Sequence, residues 1–113
     1  MATDIRAQLR FAGISAQKAR LVVDMVRGKS AIDATNTLKF LPKKAAKMVS
    51  HVLDSAIANA EENFGVSRDD LYVHTITADE GPTRKWRRFG ARGRFKPLLR
   101  RTAHITIILR ERE

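Results

Sequence analysis

Residues 71–109 read LYVHTITA-DE-GPTRKWRRFGARGRFKPLLRR-TAHITIIL, and their reading decides the fold. Leu71–Ala78 and Thr102–Leu109 are two eight-residue runs free of Asp, Glu, Lys and Arg. Both are rich in Val, Ile, Thr and Tyr, side chains that fit a pleated, half-buried surface. In the second run Ala103, Ile105, Ile107 and Leu109 alternate with Thr102, His104, Thr106 and Ile108, the period of a strand with one buried face. Between them Gly81–Arg101 holds nine basic residues and no acid. Asp79-Glu80-Gly81-Pro82 and Lys96-Pro97 punctuate its ends, and Gly90 and Gly93 its middle. The simplest construction is a long β-hairpin whose base belongs to the sheet. Legs of about nine residues at ~3.3 Å each reach roughly 30 Å. A ribbon of two strands is marginal alone, so this one needs a partner, and its composition asks for a polyanion.

The whole chain confirms that demand. Its 113 residues carry 22 Lys and Arg against 12 Asp and Glu, a net charge of +10. Removing the nine cations of Gly81–Arg101 leaves 13 against 12, so nearly all the excess lies in one 21-residue segment. Three of the seven aromatic residues, Trp86, Phe89 and Phe95, are interleaved with it. Arginine presents a planar fork to phosphate, and an aromatic face stacks on an unpaired base. Nucleic acid is the expected partner, ahead of an anionic membrane.

Working outward, Ile5, Ala7, Leu9 and Phe11 alternate with Arg6, Gln8 and Arg10, which predicts a strand with those four on one face. Ser15 is a good N-cap for a helix to about Arg27, with Ala19, Val22, Val23 and Val26 on one stripe and Gly28 beyond its end. Ser30, with Asp33 three residues on, opens a short helix of little apolar face. Pro42 stops it and starts the longest element, from about Lys43 to Asn63. Its stripe is Ala45, Met48, Val49, Val52, Leu53, Ala56, Ile57 and Ala60, and Gly65 ends it. The length suits one domain, residues 1–113, with a hairpin extension at about 81–101. The expected fold class is α+β: three helices packed on a small antiparallel three-stranded sheet, with a long projecting basic β-hairpin.

Several chemistries are excluded or weak. There is no cysteine, hence no disulfide framework, thiolate zinc site or thiol catalysis. No uncharged run exceeds eight residues, too short for a membrane span or a signal peptide's apolar region, so a soluble cytosolic protein is expected. His51 has Asp54 and Ser55 at i+3 and i+4, but no orienting third group or glycine-rich turn accompanies them. His74 and His104 fall on strands as potential cross-strand neighbours, with no third ligand spaced to complete a metal site. Arg92-Gly93-Arg94 lacks the spacing of a phosphate-binding loop. No catalytic residue, metal, cofactor or small-molecule substrate is expected.

Six runs carry a family resemblance: Ser15-Ala16-Gln17-Lys18-Ala19-Arg20-Leu21-Val22, Val26-Arg27-Gly28-Lys29, Ser55-Ala56-Ile57-Ala58-Asn59-Ala60-Glu61, Asp79-Glu80-Gly81-Pro82, Ala91-Arg92-Gly93-Arg94 and Arg101-Thr102-Ala103-His104-Ile105-Thr106. In this order and spacing the chain resembles, over nearly all its length, the family of bacterial large ribosomal subunit protein twenty-two. The resemblance implies a structural protein of the large subunit with a small α+β domain near the polypeptide exit. It implies a hairpin threaded through the 23S-type large-subunit rRNA to line the exit tunnel, and a part in subunit assembly. The partners implied are that rRNA, neighbouring large-subunit proteins and the nascent chain near the hairpin tip, in the cytoplasm. The chain departs from the family at the tip. Phe89-Gly90 stands in place of the usual Pro-Arg, Trp86 in place of a common basic residue, and Arg87 and Arg88 where apolar residues are common.

The expected RNA-binding residues are Lys18 and Arg20, exposed beside the start of the first helix, and a hairpin set. That set is Arg84, Lys85, Trp86, Arg87, Arg88, Phe89, Arg92, Gly93, Arg94, Lys96, Arg100 and Arg101. An architectural DNA-binding protein with a basic hairpin arm is the alternative. Such proteins dimerise through helices, and no second apolar face is evident on the long helix. A small RNA-processing enzyme would need a catalytic constellation that the sequence does not show.

Overall fold

The computed structural model describes residues 4–89 and 95–112, with the backbone alone for 84–89 and 95–100. The chain runs β1 (Ile5–Ala12), α1 (Ala16–Val26), α2 (Ala31–Lys39), α3 (Lys44–Asn63), a 3-10 turn (Arg68–Asp70), β2 (Leu71–Glu80), β3 (Arg84–Phe89), β4 (Phe95–Arg100) and β5 (Ala103–Glu111). The α+β expectation holds: three helices accompany an antiparallel sheet of order β1-β5-β2. The last strand in sequence is the central one, because β1 and β2 both pair with it. β3 and β4 form a separate two-stranded antiparallel ladder.

Burial explains the order. Ile105, Ile107 and Leu109 of the central strand are fully buried, and they meet the stripe of α3, where Val49, Leu53, Ala56 and Ala60 are buried too. Met48, at the edge of the predicted stripe, is half-buried. Ser15 and Ser30 accept hydrogen bonds from the backbone N–H of Lys18 and Asp33, satisfying first-turn donors of α1 and α2. The α2 face is Ala31, Ala34 and Leu38, all buried, whereas Ile32 is exposed. Gly28 leaves α1 at φ +80°, and its N–H donates to Val73 O at 3.0 Å. That geometry both ends the helix and ties the chain to β2.

The outer edge of β2 is closed by the same segment. Val73 N–H donates to Lys29 O at 2.8 Å, Arg27 donates to Ile76 O at 2.9 Å, and Arg20 donates to Ala78 O at 3.0 Å. Arg20 on α1 and Arg27 just past its end thus satisfy carbonyls that an edge strand would leave open to another chain.

Two sequence expectations are corrected. Phe11 does not share the buried face of Ile5, Ala7 and Leu9. It takes φ +55° at a bulge between Leu9 and Ala12, is 61% exposed, and Ala12 takes the buried position. Its N–H donates to His104 Nδ1 at 3.0 Å, a bond made across the sheet that holds a backbone conformation strained for a phenylalanine. His74 and His104 are not cross-strand neighbours. His104 lies opposite Asp79, and His74 falls in a register shift between Val73 and Thr75.

The molecule measures 64 × 24 × 19 Å, with a radius of gyration of 17.0 Å. A compact chain of this length would have about 13 Å, so the molecule is elongated.

At one end of the sheet Arg110 holds Asp4 through its Nε, and its Nη1 lies 2.8 Å from His74 Nε2. The hydrogen bond from Arg110 holds the Asp4 carboxyl below the usual carboxylate range. A depressed carboxyl stabilises the fold above the unfolded-state value, about 3.9, and that contribution is lost as the pH falls through the folded value. Arg110→Gln is expected to return the Asp4 titration toward the ordinary range, read from the carboxyl carbon shift against pH. The effect on stability is small, because the pair is exposed. An unchanged midpoint would show that the ion pair is inert.

Candidate nucleic-acid interface

The ribbon leaves the sheet through a tight junction. Gly81 N–H donates to Thr102 O at 2.9 Å, and Thr102 Oγ1 donates to Pro82 O at 2.8 Å. A Cβ on Gly81 would stand 2.4 Å from Thr102 Oγ1 and 3.2 Å from His104 Nε2. Any larger residue here therefore meets Thr102 where the two strand ends approach closely. Gly81→Ala should destabilise by about 1–3 kcal/mol, the usual range for overpacking, measured as a lowered midpoint in urea. An unchanged midpoint would mean that Thr102 swings aside freely.

Beside this junction lies a cleft of about 370 Å³. Ser15, Gln17 and Lys18 line it from the start of α1, and Glu80, Thr83 and Arg101 from the strand ends. Lys18 and Arg101, expected from sequence to contact RNA, are thus brought to one place. The cleft sits at a helix N-terminus, where the backbone dipole favours an anion. Glu80 is the one carboxylate lining it and works against that preference. Lys18 and Arg101 are both exposed.

Arg20 stands apart from them. Its Nε is spent on Ala78 O, so its first role is to hold α1 against β2. Sequence spacing gave no sign of this, because the acceptor is 58 residues away. Arg27 is similar: it pairs with Asp24 at 2.6 Å as well as holding Ile76 O.

The backbone register places the ribbon residues. Arg84 is opposite Arg100, Lys85 opposite Leu99, Trp86 opposite Leu98, Arg87 opposite Pro97, Arg88 opposite Lys96, and Phe89 opposite Phe95. Two of the six pairs set cation against cation. The expected contacts Arg92, Gly93 and Arg94 lie outside the described residues, as do the side chains of Arg84–Arg100.

His51, Asp54 and Ser55 are all exposed on α3. Among the described residues no group of His, Asp and Glu is placed to hold a metal. Nor, among them, is any helix long and apolar enough to cross a membrane.

A small α+β body thus carries a two-stranded ribbon in which two of six pairs set cation opposite cation, with Lys18 and Arg101 beside its root. The model of the family described as ribosomal protein L22p/L17e matches residues 7–110, and the chain belongs to that family. It is accordingly a structural protein of the large ribosomal subunit that binds rRNA, a component of the ribosome in the cytoplasm.

Proposed function

We propose that residues 81–101 form a hairpin extension that threads the large-subunit rRNA and lines the polypeptide exit tunnel. In this reading the extension supports subunit assembly, its tip meets the nascent chain, and the α+β body contacts neighbouring large-subunit proteins. The observation that carries the proposal is the register. Arg84 opposite Arg100 and Arg88 opposite Lys96 make a ladder that a polyanion stabilises. Lys18 and Arg101 continue the basic surface onto the body through the cleft at the root. Family membership favours rRNA over DNA as the polyanion.

Site-specific photo-crosslinking in purified ribosomes tests the proposal. Probes at Arg88 and Lys96 are expected to mark large-subunit rRNA, and a probe at Gly90 to mark a stalled nascent chain. Crosslinks to rRNA from the body alone would overturn it.

A further inference from the structure

The helices cover one face of the three-stranded sheet and leave the other open. Along β5, His104, Thr106, Ile108 and Arg110 alternate with fully buried neighbours. On β1, Arg6, Gln8 and Arg10 are exposed, and on β2 so are Thr77 and Asp79.

The chain's arginines divide sharply between the two faces. Outside 81–101 there are seven. Arg20 and Arg27 hold β2 carbonyls, and Arg68 pairs with Glu61 at 2.8 Å. The other four belong to the open side: Arg6 by its register with Ile108, Arg110 by its register with Tyr72, Arg112 beside the Tyr72 ring, and Arg10, in the bulge, by donating to Gln8 Oε1 at 3.4 Å. Among the described residues, Asp79 on β2 and Asp4 just before β1 are the carboxylates there. Every lysine outside the ribbon lies on a helix or a connecting segment. The cations of this face are thus all of the kind that forks onto phosphate and stacks on rings.

Rings stand at both ends of the same face. Near the ribbon, Phe11 and His104 meet edge to face at 4.9 Å, with Phe11 largely exposed. At the far end Tyr72 and His74 meet at 6.1 Å, and the Arg112 guanidinium lies 5.4 Å from the Tyr72 ring centre. His104 and Arg110, the latter paired with Tyr72, are six residues apart along β5, or roughly 20 Å. Thr77 and Thr106 lie opposite each other between the two ring pairs and offer hydroxyls that suit a ribose 2′-OH.

We propose that the open face of the sheet is a second RNA surface that takes an unpaired segment, its bases stacking at Phe11 and Tyr72 and its phosphates meeting Arg6 and Arg10. The inference rests on the rRNA-binding reading above and extends it to a face that shares no residue with the ribbon or its root cleft. Stacking requires exposed base faces, which a duplex does not offer.

The full chain, isotope-labelled, would be titrated with a ten-nucleotide oligoadenylate, with a ten-base-pair RNA duplex, and with large-subunit rRNA in a parallel filter assay. Oligoadenylate is expected to shift the ring resonances of Phe11, Tyr72 and His104, and the duplex to leave them in place. The double variant Arg6→Gln/Arg10→Gln should lower the salt slope of oligoadenylate binding by about 1.4, two contacts at 0.7 each on a single strand. Shifts confined to 81–101 and Lys18, equal shifts with the duplex, or an unchanged slope would each overturn the inference. If rRNA is still bound in those cases, only this inference falls. If the wild-type chain binds no rRNA either, the proposed function falls with it. Mapping on the wild-type chain stands even if the variant is unstable.

Discussion

Excising residues 86–98 and joining Lys85 to Leu99 through Asn-Gly should remove a large part of the salt dependence of rRNA binding while leaving the fold intact. The register dictates the cut, since Lys85 and Leu99 are partners and a symmetric excision leaves no strand unpaired. The variant loses five cations, Arg87, Arg88, Arg92, Arg94 and Lys96. At about 0.7–0.9 per phosphate contact, the slope of log affinity against log salt should fall by up to roughly 3.5–4.5. Residual binding through Arg84, Lys85, Arg100, Arg101, Lys18 and the open sheet face should persist with a shallower slope. The thermal midpoint should hardly move, because the described core residues all lie outside the excised segment, and a shorter connection costs less closure entropy. An unchanged slope would show that the ribbon is not the main RNA-binding element. Loss of cooperative unfolding would show that it is part of the core.

Ile107→Ala should do the reverse. Ile107 is fully buried at the centre of the middle strand, opposite Ala7 on one side and Ile76 on the other. Neighbours on two strands and a helix layer leave little room to close the space that three missing carbons create. The cost is about 2–5 kcal/mol, or roughly 10–20 °C in the thermal midpoint for a domain of this size. The matching control is Ile32→Ala on α2, where the side chain is exposed and the change should stay within about 0.5 kcal/mol. Below its new midpoint the Ile107→Ala protein should retain the wild-type salt slope, because no cation has moved. A small loss of stability would mean that the core repacks around this position. Together the two variants separate what folds the protein from what binds its partner.

The α3 stripe, the alternation of β5 and the serine caps of α1 and α2 were legible in the sequence because each is a local periodicity or a local hydrogen bond. The face of α2 was harder to read. Alanines at 31 and 34 bury as well as larger residues do when the opposing helix comes close, and nothing nearby in sequence reports that approach. The polyanion partner was legible for another reason: nine cations without an acid in 21 residues declare themselves whatever the fold.

Amino-acid order by itself determined the element types, the chain's division into a helix-covered sheet and a basic ribbon, and the class of partner, since periodicity, capping and net charge depend on residues near one another in the chain. Tertiary structure alone decided the rest. It turned Phe11 out of the core, because His104, 93 residues away, accepts its N–H and sustains the bulge. It gave Arg20 and Arg27 to the carbonyls of β2, gathered Lys18 and Arg101 into one cleft, and left four arginines on the open face. In each case the deciding partner lies far off in sequence, and only the strand register and the docking of α1 bring it within reach of a hydrogen bond or a shared charge.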